Sequence, residues 1–213
     1  ELLREVAGRY PEATALVDIA LDGTVGREWN YRQLLETSER LAGVLVSRFA
    51  PGERVVVWAP NIPEWLFLEY ACAFSGLVLV TANPSFQEKE LRYVLEQSGA
   101  VALFLVDSFR GNAMADIAQK AIEGNGQIRE VVNLEDETVL FKQGSKLADL
   151  PGVKPTDPAQ IQYTSGTTGF PKGAVLSHYN LVNNARLFAA RKKVHQQSVW
   201  ANFMPMFHTA GCA

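Results

Sequence analysis

Residues 163–173 read Tyr163-Thr164-Ser165-Gly166-Thr167-Thr168-Gly169-Phe170-Pro171-Lys172-Gly173, set between two apolar, strand-like runs, Ala159–Tyr163 and Ala174–Leu176. Three glycines and five hydroxyl-bearing residues fall within these eleven positions, with a lysine near the end. A Gly/Ser/Thr loop leaving a strand offers backbone N–H groups and hydroxyls to an oxyanion with no bulky side chain in the way. Lys172 adds a full positive charge, whose hydrogen bonds to a phosphate would be charge-assisted. The implied chemistry is the handling of a polyphosphate. The pattern is not the common G-x-x-x-x-G-K-[ST] loop: counted from Gly166, Pro171 precedes the lysine where glycine is required, and Gly173 replaces the Ser/Thr that would meet magnesium. A glycine-rich hairpin with no ligand is the competing reading, and the density of hydroxyls beside one lysine argues against it.

Outward from this loop the chain alternates helix and strand signals. Asn30-x-x-Gln33 reads as a capping box, followed by Tyr31, Leu34, Leu35, Leu41, Ala42, Leu45 and Val46 at helical spacing. Pro51-Gly52 ends that helix, and Arg54–Ala59 is a strand rich in β-branched residues. Asn61-x-Pro63-Glu64 opens a buried helix reaching Gly76, with a strand at Leu77–Thr81. Ser85-x-x-Glu88 caps a helix to about Gln97. Ala100–Val106 is the next strand, Ser108–Glu123 a helix and Glu130–Asn133 a strand. Ser177 caps a helix to Lys192, and Val199–Met204 reads as a last strand. Such alternation implies an α/β fold, a layered and mostly parallel β-sheet with flanking helices. Residues 142–158, with Gly144, Pro151, Gly152, Pro155 and Pro158, read as a connector into the loop. Open α/β sheets bind ligands at the carboxyl ends of their strands, where this loop lies.

Bulk properties exclude several classes. A hydrophobic share of 47% against 20% charged residues is ordinary for a globular chain and argues against disorder. A net charge of −3 gives no reason to expect nucleic acid or an anionic membrane as partner. The longest apolar stretch, Trp65–Ala82, holds Glu69 and Gly76 and reads as helix then strand, not as a membrane span. Glu1–Tyr10 lacks the apolar core of a secretory signal. Cys72 and Cys212 suggest no disulfide framework, which fits a reducing, cytoplasmic setting. His178, His195 and His208 form no ligand pattern with them, so no protein-held metal is expected. Trp58, Trp65 and Phe67 read as core, and Arg191-Lys192-Lys193 as the solvated end of a helix.

The run Thr164-Ser165-Gly166-Thr167-Thr168-Gly169-x-Pro171-Lys172-Gly173-Ala174, followed by Ser177-His178, resembles the phosphate-loop signature of the adenylate-forming superfamily, which holds acyl-CoA synthetases, luciferases and peptide-synthetase adenylation domains. Pro205-Met206-Phe207-His208-Thr209-Ala210-Gly211 resembles that family's P-[LM]-[FY]-H-x-x-G element. Phe74–Pro84 is similar to its F-x-G-A-x-x-x-P-x-N-P stretch, with Thr81 where proline is usual. The wording around the loop is nearest to medium-chain acyl-CoA synthetases.

The resemblance implies an ATP-dependent ligase that joins a fatty acid, medium or long in chain, to CoA through an acyl adenylate, with ATP, Mg2+ and CoA as its small-molecule partners. Thr164, Ser165, Gly166, Thr167, Thr168 and Gly169 would hold the β- and γ-phosphates, and Lys172 would neutralise the departing pyrophosphate. His208 would form a wall of the acyl pocket beside the pantetheine tunnel. The chain is then expected to be part of the large N-terminal AMP-binding domain, with 159–213 as its phosphate-loop and acyl-pocket segment. The family's Y-G-x-T-E motif, T-G-D motif and C-terminal lysine are not among these 213 residues, so the chain reads as a fragment inactive alone. Two alternatives stay open: transfer of the acyl group to a carrier protein, and a phosphate-binding homologue without catalysis. Acyl-chain length and oligomeric state are left open too.

Overall fold

The computed structural model describes residues 1–20, 22–141, 149–164 and 171–212. A short helix α1 (Leu2–Arg9) leads into the hairpin β1 (Thr14–Ile19) and β2 (Val25–Asn30), which the sequence pattern does not announce because its residues are mostly exposed. Then come α2 (Tyr31–Val46), β3 (Arg54–Trp58), α3 (Pro63–Ser75), β4 (Val78–Thr81), α4 (Glu88–Ser98), β5 (Ala102–Leu105), α5 (Met114–Ile122), β6 (Glu130–Asn133) and α6 (Glu137–Leu140). The chain closes with β7 (Pro158–Thr164), β8 (Lys172–Ser177), α7 (His178–Arg191) and α8 (Thr209–Cys212). Among the described residues, no helix is long and apolar enough to cross a membrane.

Six strands form one sheet in the order β6-β5-β3-β4-β7-β8. All neighbours pair in parallel except β7 and β8, which are antiparallel. Strands β3, β4 and β5 are apolar along nearly their whole length because helices cover both faces, as parallel sheets require. Trp58 and Trp65 are fully buried and Phe67 is 4% exposed, so the expected core aromatics are core. Glu64, in the first turn of α3, takes a hydrogen bond from Arg27 at 2.5 Å, and Trp29 meets Phe67 edge-on at 5.2 Å; together they seat the β1–β2 hairpin on α3.

Helix boundaries follow the caps. Asn30 and Gln33 form the expected capping box, and Ser177, the expected cap of α7, forms a further one with Asn180. The α4 box sits two residues later than expected, at Gln87 and Glu90. Asn83 explains the shift: its side chain accepts from the Ser85 N–H and its carbonyl from the Phe86 N–H, so the chain is still turning at Ser85. Helix α5 also starts late. Phe109 and Asn112 exchange two backbone bonds across Arg110 (φ 48°) and Gly111 (φ 81°), a tight turn that occupies the segment read as a first helical turn. Val199–Met204 is not a strand. It pairs with no described strand, and β-propensity without a partner for the backbone groups does not make one. Helix α7 lies outermost, with no buried residue, and its Phe188 meets Trp200 at 5.4 Å.

Gly76 ends α3 in the left-handed region at φ 70°, and the Leu77 N–H donates back to the Cys72 carbonyl, so the chain reverses into β4 at once. Gly76→Ala should cost about 1–2 kcal/mol, the penalty for a Cβ in that conformation. A urea midpoint lowered with an unchanged slope would show it; no change would mean that the turn adapts.

Candidate functional site

The loop begins and ends on paired strands. Thr164 is the last residue of β7 and Lys172 the first of β8, and the two are register partners, with the Thr164 hydroxyl 3.5 Å from the Lys172 carbonyl. Ser165, Gly166, Thr167, Thr168 and Gly169 lie outside the described residues, so the structure places only the two ends of the proposed phosphate loop. Both ends are tied to α4. The Tyr93 hydroxyl donates to the Pro171 carbonyl at 3.0 Å, and the Tyr163 hydroxyl donates to Gln97. The two tyrosine rings meet edge-on at 6.4 Å. Gly173 is required beneath them, because a Cβ there would stand 2.9 Å from Ile161 Cγ2 and 3.3 Å from the Tyr163 ring. Burial pushes the Tyr163 phenol up to about 12, so it remains a donor. Thr164 and Lys172 are exposed, and among the described residues the Lys172 ammonium has no acidic partner. A free cation at the mouth of a hydroxyl-rich hairpin fits a polyphosphate.

His208 is exposed, its ring 4.6 Å from that of Phe207. Around it, residues 204–212 are fastened to the body of the protein by side chains. Asn61 donates to the Met204 carbonyl at 2.8 Å and accepts from the Met206 N–H at 2.9 Å. The Thr81 hydroxyl donates to the Phe207 carbonyl at 2.9 Å. The Thr209 hydroxyl donates to Gln162 Oε1 at 2.7 Å. Thr81 ends β4, and Gln162 stands two residues before Thr164 on β7, so His208 and the loop ends share the carboxyl-terminal edge of the sheet.

A buried polar chain continues behind His208. Gln162 Nε2 donates to Gln160 Oε1 at 2.9 Å and lies 3.0 Å from Cys212 Sγ; Gln160 in turn donates to Glu69 Oε1. Glu69 Oε2 is buried with no partner among the described residues. Burial pushes this carboxyl up from 4.5 to about 8, against the lowering effect of the Gln160 bond. Burial also raises Cys72, and raises Cys212 to about 12, so both free thiols stay protonated. Elsewhere, His178 begins α7, with burial lowering its pKa, and His195 sits exposed in a turn, its N–H bonded to Ser198; neither approaches the His208 segment in any hydrogen bond.

Sequence reasoning did not single out Asn61, Thr81, Gln160, Gln162 or Thr209 as site residues. Asn61 looked like the opening of α3, yet Ile62 takes the N-cap position without a side-chain bond and the Asn61 amide reaches residues far along the chain. The available signal was two glutamines within a strand otherwise built to be buried.

A profile of the AMP-binding enzyme family matches residues 3–213. The chain belongs to the AMP-binding enzyme family. It is 32% identical to the putative acyl-CoA synthetase YngI of Bacillus subtilis, over all of this chain and 44% of that protein. It is 31% identical to the human mitochondrial medium-chain acyl-CoA ligase ACSF2, over 99% of this chain and 39% of that protein. The chain thus spans less than half the length of these relatives. Its fold matches that of the Bacillus subtilis o-succinylbenzoate coenzyme A synthetase in complex with ATP and magnesium ion, with a TM-score of 0.81 and 22% identity over all of this chain and 52% of that one. The fold is therefore shared with part of that synthetase.

The buried carboxyl of this AMP-binding chain makes a pH prediction. An unfolded Glu69 releases its proton near 4.5, while the folded one keeps it to about 8. The folded state binds more protons in that window, so stability present below it is lost as pH rises through it. Glu69→Gln keeps an acceptor for Gln160 and should flatten this slope, read from urea midpoints at about pH 5 and about pH 8. Equal slopes in the two proteins would place the Glu69 charge in a well-solvated site.

Proposed function

We propose that this chain is part of the large N-terminal AMP-binding domain, with 159–213 as its phosphate-loop and acyl-pocket segment, of an AMP-forming acyl-CoA ligase acting on a fatty acid of medium or long chain. The observation that carries the reading is the Thr164–Lys172 closure: a hydroxyl-rich hairpin at the carboxyl edge of the sheet, with an exposed cation unopposed by any described acid. Family membership and the names of the relatives support the same reaction class.

In the first half-reaction a carboxylate oxygen of the fatty acid attacks the α-phosphorus of ATP, the bond to the β-phosphate oxygen breaks, and pyrophosphate leaves. In the second, the CoA sulfur attacks the acyl carbonyl, its proton is lost, and AMP departs with the acyl oxygen. Little covalent chemistry falls to the protein, and catalysis is positioning and charge neutralisation. Thr164, Ser165, Thr167 and Thr168 supply hydroxyls to the β- and γ-phosphates, and Gly166 and Gly169 let the backbone approach. Lys172 meets the charge that grows on pyrophosphate. Mg2+ enters with ATP. His208 forms a wall of the acyl pocket. Free Cys72 and Cys212 suit a reducing, cytoplasmic compartment.

Carboxylate-dependent ATP–pyrophosphate exchange by the full-length protein, measured over fatty acids of rising length, tests the reading. Exchange should peak at one chain length, thioester should require free CoA, and Lys172→Met should slow exchange about a hundredfold. These 213 residues alone should give no exchange. A folded full-length protein that exchanges with no acid would leave a phosphate-binding homologue without catalysis.

A further inference from the structure

We propose that one rung of the sheet, Thr81 of β4 opposite Gln162 of β7, is the positioning device for His208. The inference rests on the acyl-pocket role given to His208 above. Thr81 and Gln162 are Cα partners across the two strands. From that rung, Thr81 holds the Phe207 carbonyl at 2.9 Å and Gln162 holds the Thr209 hydroxyl at 2.7 Å. The residues immediately before and after His208 are therefore each fixed by one of two paired side chains. Thr81 is 2% exposed and Gln162 5% exposed, so neither bond has ready replacement by water.

The segment needs such a hold. Helix α8 has four residues, too few to be stable by its own hydrogen bonds. Of the segment's apolar side chains Met206 is buried, at 8% exposure, and Cys212 packs half-buried against the core, while Asn61 fixes the chain further upstream. The direction of the hydrogen bonds is also set. Thr209 donates to Gln162, Gln162 to Gln160, and Gln160 to Glu69, so the chain of donors runs from α8 through the two amides of β7 to α3, with the Gln162 NH2 also 3.0 Å from Cys212 Sγ. A side chain at 162 without an amide loses Thr209 and leaves Gln160 Oε1 with only the Cys212 thiol at 3.5 Å. Because Gln162 and Thr164 lie on one strand, the same stretch of β7 sets both the start of the phosphate loop and the placing of His208.

The test uses the full-length protein with Thr81→Val, Thr81→Ser and Gln162→Met, each with and without His208→Ala, keeping variants that unfold cooperatively. In fatty-acid-dependent ATP–pyrophosphate exchange, Thr81→Val and Gln162→Met should raise KM for the fatty acid about tenfold or more and leave KM for ATP unchanged. Thr81→Ser should restore the native value, and neither variant should add to the loss already caused by His208→Ala. A second readout needs no activity: the proton–carbon resonance of the His208 ring, assigned through His208→Ala, should shift or broaden in Thr81→Val and Gln162→Met, while those of His178 and His195 stay in place. Losses that multiply fully with that of His208→Ala, or an unmoved His208 resonance in both variants, overturn the proposal. A moved resonance in a protein that no acid drives to exchange upholds the clamp and removes the ligase reading instead.

Discussion

A parallel sheet covered by helices on both faces leaves no water for a polar side chain inside it, and that constraint organises the site as well as the core. Val55–Trp58, Leu79, Val80 and Ala102–Leu105 satisfy it by being apolar. Thr81, Gln160 and Gln162 cannot, and a buried polar atom without a partner costs about 1–3 kcal/mol. Each has a partner outside the sheet: Phe207, Glu69, Thr209. Two of these polar exceptions, Thr81 and Gln162, are thus points where the body of the protein grips residues 204–212. Such bonds contribute little net stability one by one, about 0.5–1.5 kcal/mol each. Their value lies in direction, since a satisfied buried network admits few arrangements of the groups attached to it.

The reversal of direction at the edge of the sheet does comparable work for the loop. A strand followed by a helix would present that helix's N-terminus to the phosphates. Here β7 is followed by the antiparallel β8, and α7 begins only at His178. On the proposed reading, the contacts to the phosphates come from the hairpin itself and from Lys172. That places a premium on fixing the hairpin's stems, which Tyr93 and Gln97 do from α4, Gln97 through the Tyr163 hydroxyl, while Gly173 gives the Tyr163 ring room.

Much of the fold was legible because its signals are local. Arg54–Trp58, the Pro63 start and Gly76 stop of α3, and the Asn30 and Ser177 boxes each depend on residues within one turn or one strand. The two strands that end at Thr164 and start at Lys172 were legible as the apolar runs on either side of the loop. Failures came where two local signals compete or where the partner is remote. Ser85-x-x-Glu88 is the better box on paper, yet the Asn83 turn puts the helix start at Gln87-x-x-Glu90 instead. Val199–Met204 has strand residues and no strand to pair with. Asn61 bonds residues 143 and 145 positions away, and Gln162 one 47 away, and nothing in the sequence near either announces it.

Thr81 is one point, along with Leu77, where this chain departs from the resembled wording, which has proline in place of Thr81, and the structure gives the departure a physical content. Proline would offer neither a hydroxyl nor an N–H at the end of β4. With threonine, the last residue of the strand remains a hydrogen-bond donor and uses it on Phe207, one residue from His208. In this chain the hydroxyl and the Gln162 amide act from one rung, so the two are expected to vary together: losing either leaves His208 held on one side, and the remaining bond then fixes a hinge where two had fixed an orientation.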